Sequence, residues 1–253
     1  MPSGAMSGGS VKDSGALSQV IKHLVGRLDG KETRAMIAAS DSVASFRVFT
    51  FPRDTAEVKI DSFVRTQLPE DGNRMGVQHI DVTDNGSDRT VFAVAFDRLK
   101  VQELASAVRM AGLEPSVLEL KSLCVARVAP QSACVVLDLT VEPAEVFLID
   151  RGLPRLWHSF KADVESDEEL VQRVAGGLGV VLSFYLRQPG ARDFSAEAPI
   201  FITSEAPLPP GLAAALQARV GHPFQSLPVP PRVSPEVQHG AYLACIGLVM
   251  RRR

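Results

Sequence analysis

A single carboxylate interrupts an apolar, β-branched stretch of the sequence. Cys134-Val-Val-Leu-Asp-Leu139 is otherwise a buried-strand run, and Asp138 stands near its end. A buried carboxylate must be paired, hydrogen-bonded or set against a cation. Two readings answer that need. Asp138 caps the adjoining turn, or it contacts a nucleotide or metal at a strand end, where α/β folds place ligands. The remaining groups are less organised. Gly176-Gly177-Leu178-Gly179 has no strand before it, which makes close packing against a sheet a better account than a phosphate loop. His23, His79, His158, His222 and His239 lack metal-ligand spacing and read as surface or loop residues. There is no Gly-x-Ser-x-Gly elbow. Asp163–Glu169 is a solvated acidic run rather than an acid–base pair. Cys124, Cys134 and Cys245 sit in apolar contexts and read as buried reduced thiols. Trp157 and Phe160 read as core. Neither catalytic residues nor a metal site are expected.

The elements that would position Asp138 come in mixed order. Leu17, Val20, Ile21, Leu24 and Leu28 recur at the helical period. Ala35–Ala39 and Phe46–Phe51 read as strands, and Val58 to Leu68 as a less regular helix stopped by Pro69. Val77–Val82 and Thr90–Phe96 form a strand pair across Asp84-Asn85-Gly86-Ser87. Asp97 is placed to cap a helix striped by Val101, Leu104, Ala105, Val108 and Ala111, with Gly112 at its end. Val117–Leu120 is a short strand. Ala133–Phe160 reads as strand, turn, strand, a turn at Gly152, and strand. Ser166 to Glu169 is a capping box opening a long helix through Tyr185. A short strand, Ile200–Thr203, precedes a helix with Leu212, Leu216 and Val220, and Leu227 to Arg232 is a proline-rich loop. A last helix starts at Ser234-Pro235-Glu236 and carries Val237, Ala241, Ala244, Cys245 and Leu248. Without clean alternation of strand and helix, a mixed sheet is expected.

The chain has 253 residues, of which 45% are hydrophobic, and a formal net charge of −2. That suffices for one large domain or two smaller ones and provides no basic field for nucleic acid. No secretory signal and no apolar run of membrane-spanning length is visible. Met1–Ser10 is small and Gly/Ser-rich and reads as a disordered leader. Arg251-Arg252-Arg253 is a solvated tail or a contact for anionic lipid or an acidic partner.

Several segments, in this order and spacing, resemble the actin-like PilM proteins of type IV pilus assembly. They are Phe92-Ala-Val-Ala-Phe-Asp-Arg98, the helix end Ala111-Gly-Leu-Glu-Pro115, Val117-Leu-Glu-Leu120, Cys134–Leu139 with the Gly152 hairpin, Phe201-Ile-Thr-Ser-Glu-Ala-Pro-Leu-Pro-Pro-Gly-Leu212, and Ala241-Tyr-Leu-Ala-Cys-Ile-Gly-Leu248. The resemblance spans Leu17 to Met250 and implies a mixed α/β fold of the actin-like, ribonuclease H-like class. A first lobe would occupy 14–130, with a small subdomain inserted at about 40–120. A second lobe would occupy 131–253, with 1–13 a disordered leader or cloning remnant. Asp138 matches the acidic residue of the family's second phosphate segment. Thr140 stands where its glycine belongs, and Ser204 and Glu205 replace the paired glycines of the adenosine segment. No strand pair carrying the first phosphate loop precedes Leu17. A side chain at Thr140 hinders the approach of main-chain amides to phosphate, and Glu205 brings negative charge toward an anion. The resemblance therefore implies a degenerate nucleotide site at Asp138, Thr140, Ser204 and Glu205, no cofactor and no enzymatic activity. ATP with Mg is the alternative, should the first phosphate loop have been lost from this chain. The implied role is that of a cytoplasmic scaffold peripheral to the inner membrane. It would bind the N-terminal cytoplasmic segment of a PilN-like membrane protein in a groove near the inserted subdomain, with homo-oligomerisation open and no nucleic acid. A nucleotide-independent scaffold of another envelope machine is the third reading.

Overall fold

The computed structural model describes residues 4–28, 33–68, 74–85, 88–188, 191, 194–195, 197–205, 207–230, 233–234, 237 and 240–251. The expected turn at Gly86-Ser87, the breakers Pro69 and Pro189-Gly190, and Pro235-Glu236 lie outside them; the last helix, expected from Ser234 with Val237 and Ala241 in its stripe, begins only at Leu243, and Ser234, Val237 and Ala241 are not helical. The chain divides into two compact units between Leu120 and Lys121, earlier than the expected boundary after residue 130.

In the first unit, β1 (Met6–Ser7) and β2 (Ser10–Val11) form a small antiparallel hairpin ahead of α1 (Ser14–Val25). Residues 4–13 are therefore ordered where a disordered leader was expected, and a short strand pair does precede Leu17. Gly8 and Gly9 both sit at positive φ, as a two-residue hairpin turn of this hand requires. Ser42 Oγ donates to Gly8 O at 2.8 Å, and Ala5 and Val11 are buried with Leu17 and Ala107. The Gly-Gly pair is a turn signal that a composition-based reading mistakes for low complexity.

The strands β3 (Arg34–Ala39) and β7 (Glu114–Leu120) pair in parallel, and the chain between them folds as an insertion. Pro115 is accommodated where the register shifts. The insertion is a three-stranded antiparallel sheet of order β4-β6-β5, from β4 (Ala44–Pro52), β5 (Met75–Asn85) and β6 (Asp88–Asp97). Residues alternate across β6, so Val91, Ala93 and Ala95 meet Ile60 and Val64 of α2 (Glu57–Gln67), while Phe92 turns to the other face and stacks on Phe46. The last residue of β6, Asp97, caps α3 (Arg98–Met110). Its Oδ1 accepts the amides of Leu99 at 3.0 Å and Lys100 at 3.3 Å, and its Oδ2 accepts from Arg74 at 3.0 Å. Burial pushes the Asp97 carboxyl upward, but these amides and Arg74 outweigh it and hold it below its ordinary 3.8. The depressed value makes the carboxylate's contribution complete above about pH 4 and lost as pH falls through the lower folded value. Asp97→Ala should remove that acid-side loss and lower stability by about 0.5–2 kcal/mol in urea unfolding at neutral pH.

The second unit begins with α4 (Lys121–Val128), a helix without a sequence signal strong enough to read in advance. A five-stranded mixed sheet follows in the order β10-β9-β8-β11-β12. Its antiparallel part is β8 (Cys134–Asp138), β9 (Ala144–Asp150) and β10 (Leu153–Phe160), with the Gly152 turn as expected. The strands β11 (Ile200–Thr203) and β12 (Phe224–Ser226) continue it in parallel. Every residue of β8 is buried, because helices cover both faces. Val135 and Leu137 face Leu178 of α5 (Asp167–Leu186) and Leu216 of α6 (Leu212–Val220). Cys134 and Val136 face Val125 of α4 and Leu243 of α7 (Leu243–Val249).

The glycines of α5 separate by environment. A Cβ on Gly177 would lie 2.5 Å from the Phe160 ring, whereas Gly176 and Gly179 have nothing within 4 Å. Close packing therefore explains Gly177 alone. Gly176→Ala should raise stability by up to about 1 kcal/mol, and Gly177→Ala should lower it, both read by thermal melting. By length and composition α5 could cross a membrane. Its position is that of a core helix, with Val174, Leu178 and Leu182 on the sheet and Tyr185 donating to Asp150 at 2.6 Å.

Two readings of single residues change. Cys124 and Cys134 are buried, but Cys245 is exposed, because α7 turns Leu243, Gly247 and Leu248 inward instead. His222 is buried in its loop and its Nδ1 lies 2.9 Å from Ala198 O.

Candidate functional site

The register of β8 on β9 sets Asp138 directly opposite Glu145. Two like charges facing each other across a ladder are destabilising unless something bridges them. The bridge is Lys121, the first residue of α4. Its Nζ donates to Asp138 Oδ2 at 2.7 Å and to Glu145 Oε2 at 2.5 Å, and lies 5.6 Å from the centre of the Phe147 ring. The outer oxygens are satisfied too: Thr140 donates to Asp138 Oδ1 through N at 3.0 Å and Oγ1 at 2.5 Å, and Trp157 Nε1 donates to Glu145 Oε1 at 3.0 Å. The three charged side chains are 15%, 1% and 10% exposed for Lys121, Asp138 and Glu145. Burial draws the Lys121 ammonium downward, but the two carboxylates prevail and its pKa lies above the ordinary lysine value.

Above this network, at the carboxyl ends of β8 and β11, lies a groove of about 490 Å³. The β8–β9 turn supplies Thr140 and Glu142, the loop after β10 supplies Asp163, and the loop after β11 supplies Ser204 and Glu205. A second hollow of about 530 Å³, lined by Thr203, Ser226 and Gly240, shares Ser204 and Glu205 with it. Gly240 is pressed against the strand ends, for a Cβ there would lie 3.2 Å from Thr140 Cγ2 and overlap Thr203 Oγ1.

Thr140, Ser204 and Glu205 thus line one groove, with Asp138 beneath it rather than in its wall. Of the two readings of Asp138, the turn cap has its counterpart in the Thr140 amide and hydroxyl, and the charge is met by a lysine of the chain. Glu145 and Trp157 were legible only through the hairpin register, and Lys121 carried no sequence signal. Among the described lining residues the first groove has three carboxylates, Glu142, Asp163 and Glu205, and no lysine, arginine or histidine. Such walls repel a polyphosphate. Other chemistry is sparse. Burial pushes the Cys134 thiol up to about 12, which leaves it protonated and inert at neutral pH. Among the described residues no group of three or more His, Cys, Asp or Glu could hold a metal ion.

No protein-family model and no curated protein matches the sequence. Solved structures do. The PilM–PilN type IV pilus biogenesis complex aligns over 99% of this chain and 88% of its own, with a TM-score of 0.73 at 18% identity. The fold is actin-like. Two further structures share this actin-like fold at a TM-score of 0.52. One is the cytoplasmic domain of EpsL, an inner-membrane component of the type II secretion system of Vibrio cholerae, at 13% identity over 98% of this chain and 85% of its own. The other is the ethanolamine utilization protein EutJ of Carboxydothermus hydrogenoformans, at 12% identity over 97% of this chain and 77% of its own. At these identities the likeness is one of actin-like architecture.

Proposed function

We propose that this chain is a cytoplasmic, membrane-peripheral scaffold of a type IV pilus or related secretion complex, and that it holds the N-terminal cytoplasmic segment of a PilN-type membrane protein without using nucleotide. The observation that carries the reading is the likeness to the PilM–PilN structure over nearly the whole chain. Nucleotide independence is supported by the Lys121 ammonium on Asp138 and by the acidic walls at Thr140, Ser204 and Glu205. A magnesium nucleotide does not fit residues so arranged: the strand-end carboxylate is already neutralised and no described lining cation meets the phosphates.

Fluorescence anisotropy with a labelled peptide of the partner's N-terminal segment tests the scaffold role. A Kd below about 50 μM is expected, and no binding at about ten times that concentration would remove the reading. Calorimetry with Mg-ATP should give no heat of binding. Heat that vanished in Asp138→Ala would favour an ATP-binding protein instead, a reading kept alive by the Gly8-Gly9 hairpin. The EpsL likeness favours a secretion scaffold as the second reading. Binding of a type II secretion partner segment in preference to the pilus segment would select it.

A further inference from the structure

Helix α5 turns one face to its sheet and leaves the opposite face uncovered. At about 100° per residue, Glu169, Arg173, Gly176, Val180, Ser183 and Arg187 fall near one line along that outer face. Their spacing alternates four and three, which is the pattern of a seam between two helices. The seam has relief. Gly176 has nothing within 4 Å of where its Cβ would stand, and it opens a hollow of about 430 Å³ between α5 and the edge strand β10, walled by His158, Phe160 and Gln172. Val180 and Phe184 protrude one and two turns further on, 53% and 58% exposed. The charges are divided as well: Asp167, Glu168 and Glu169 fill the first turn, and Arg187 closes the helix. Within the chain Glu169 reaches Arg173 at 3.4 Å, a contact too long and too exposed to hold it.

We propose that this face of α5 docks on α5 of a second copy, antiparallel, as the seam of a symmetric dimer. A hollow and a knob on one helix face, with acid at one end and base at the other, complement the same surface turned end for end. Placing Val180 of one copy on Gly176 of the other fixes the register. Glu169 then meets Arg187, and Phe184 comes over the hollow, each contact made twice as two-fold symmetry requires. Arg173 stands at the rim of the hollow, so the incoming ring meets a guanidinium beside the apolar wall. A parallel pairing in register would set the acidic turns against each other. With two apolar knobs from each copy, the association is micromolar rather than nanomolar. The dimer requires neither nucleotide nor the membrane partner's segment.

Cysteine pairs read the register. In a Cys245→Ser background, which removes the exposed thiol, Arg173→Cys and Ser183→Cys would face each other across the seam. Each would lie about 15 Å along the axis from its own counterpart, beyond the roughly 7 Å between Cα atoms that a disulfide spans. A mixture of the two variants at about 100 μM should therefore cross-link to a dimer under mild oxidation, and neither variant alone should. No cross-link in the mixture, or equal cross-linking by either variant alone, overturns the proposal. Sedimentation velocity gives the second reading. The wild type should move from monomer toward dimer between about 1 and 100 μM. Val180→Glu should keep its melting midpoint at low concentration and associate at least about tenfold more weakly. Val58→Glu, at a 79% exposed position in the first unit, should associate as the wild type does. A wild type that stays monomeric to about 100 μM, or a dimer indifferent to Val180→Glu, overturns the proposal too. Failure of the partner's peptide to bind would strike the scaffold reading instead, and the cross-linking result would stand separately.

Discussion

Gly247→Ala should lower the thermal midpoint by several degrees. On α7 this glycine lies against the main chain of α4, and a Cβ there would overlap the Cys124 carbonyl, its carbon only 2.5 Å away. The obstacle is backbone, so no side-chain rotation relieves it; the helices must move apart. The contact is also tied by Arg127, which donates to Gly247 O at 3.2 Å. Separation would loosen the layer in which Val125, Val128 and Leu243 cover Val136 and Phe147. Overpacking of this kind costs about 1–3 kcal/mol, and each kcal/mol moves the midpoint by about 2–4 °C in a chain of this size. The open position of Gly176 provides the control, since the same methyl should there act in the opposite sense. Equal midpoints for Gly247→Ala and the wild type would mean the two helices are not in contact at this crossing.

Lys121→Met should lower stability by about 3–5 kcal/mol in urea unfolding at neutral pH, because it leaves two carboxylates facing each other without their cation. Alkaline pH approaches the same end in the wild type. The folded pKa of Lys121 lies above its ordinary 10.5, so the stabilisation is complete below that value and disappears as pH rises through the higher folded one. The stability difference between wild type and Lys121→Met should accordingly be constant from neutrality to about pH 10 and narrow beyond it. A gap that stays unchanged above pH 11 in guanidinium or urea titrations would show that packing, and not the ammonium, carries the effect.

Much of the fold is legible locally. The alternation of Val91, Ala93 and Ala95 with Phe92, Val94 and Phe96 specifies two faces of a strand, and Asp97 announces the helix that follows. The all-apolar run at Cys134–Leu137 announces a strand covered on both sides. The failures share a cause as well. Helix α4 has a weak amphipathic pattern because both Cys124 and Val125 are buried, and α7 opens among residues whose inward face is set by the crossing with α4. Neither pattern can be assigned a face before the neighbouring helix is known.

For the candidate site the division is sharper. By themselves, the residues determined that Asp138 needs a partner; that Thr140, Ser204 and Glu205 stand in the place of glycines was implied only by the resemblance to the actin-like PilM proteins. That the partner is Lys121, that Glu145 completes the cluster and that Trp157 steadies it were decided in three dimensions. Lys121 is 17 positions from Asp138 and 24 from Glu145, and only the packing of α4 against the sheet brings its ammonium to both. Electrostatic attraction falls off with distance in space, not along the chain, so a pattern of spacings could state the need for a cation without naming the residue that meets it.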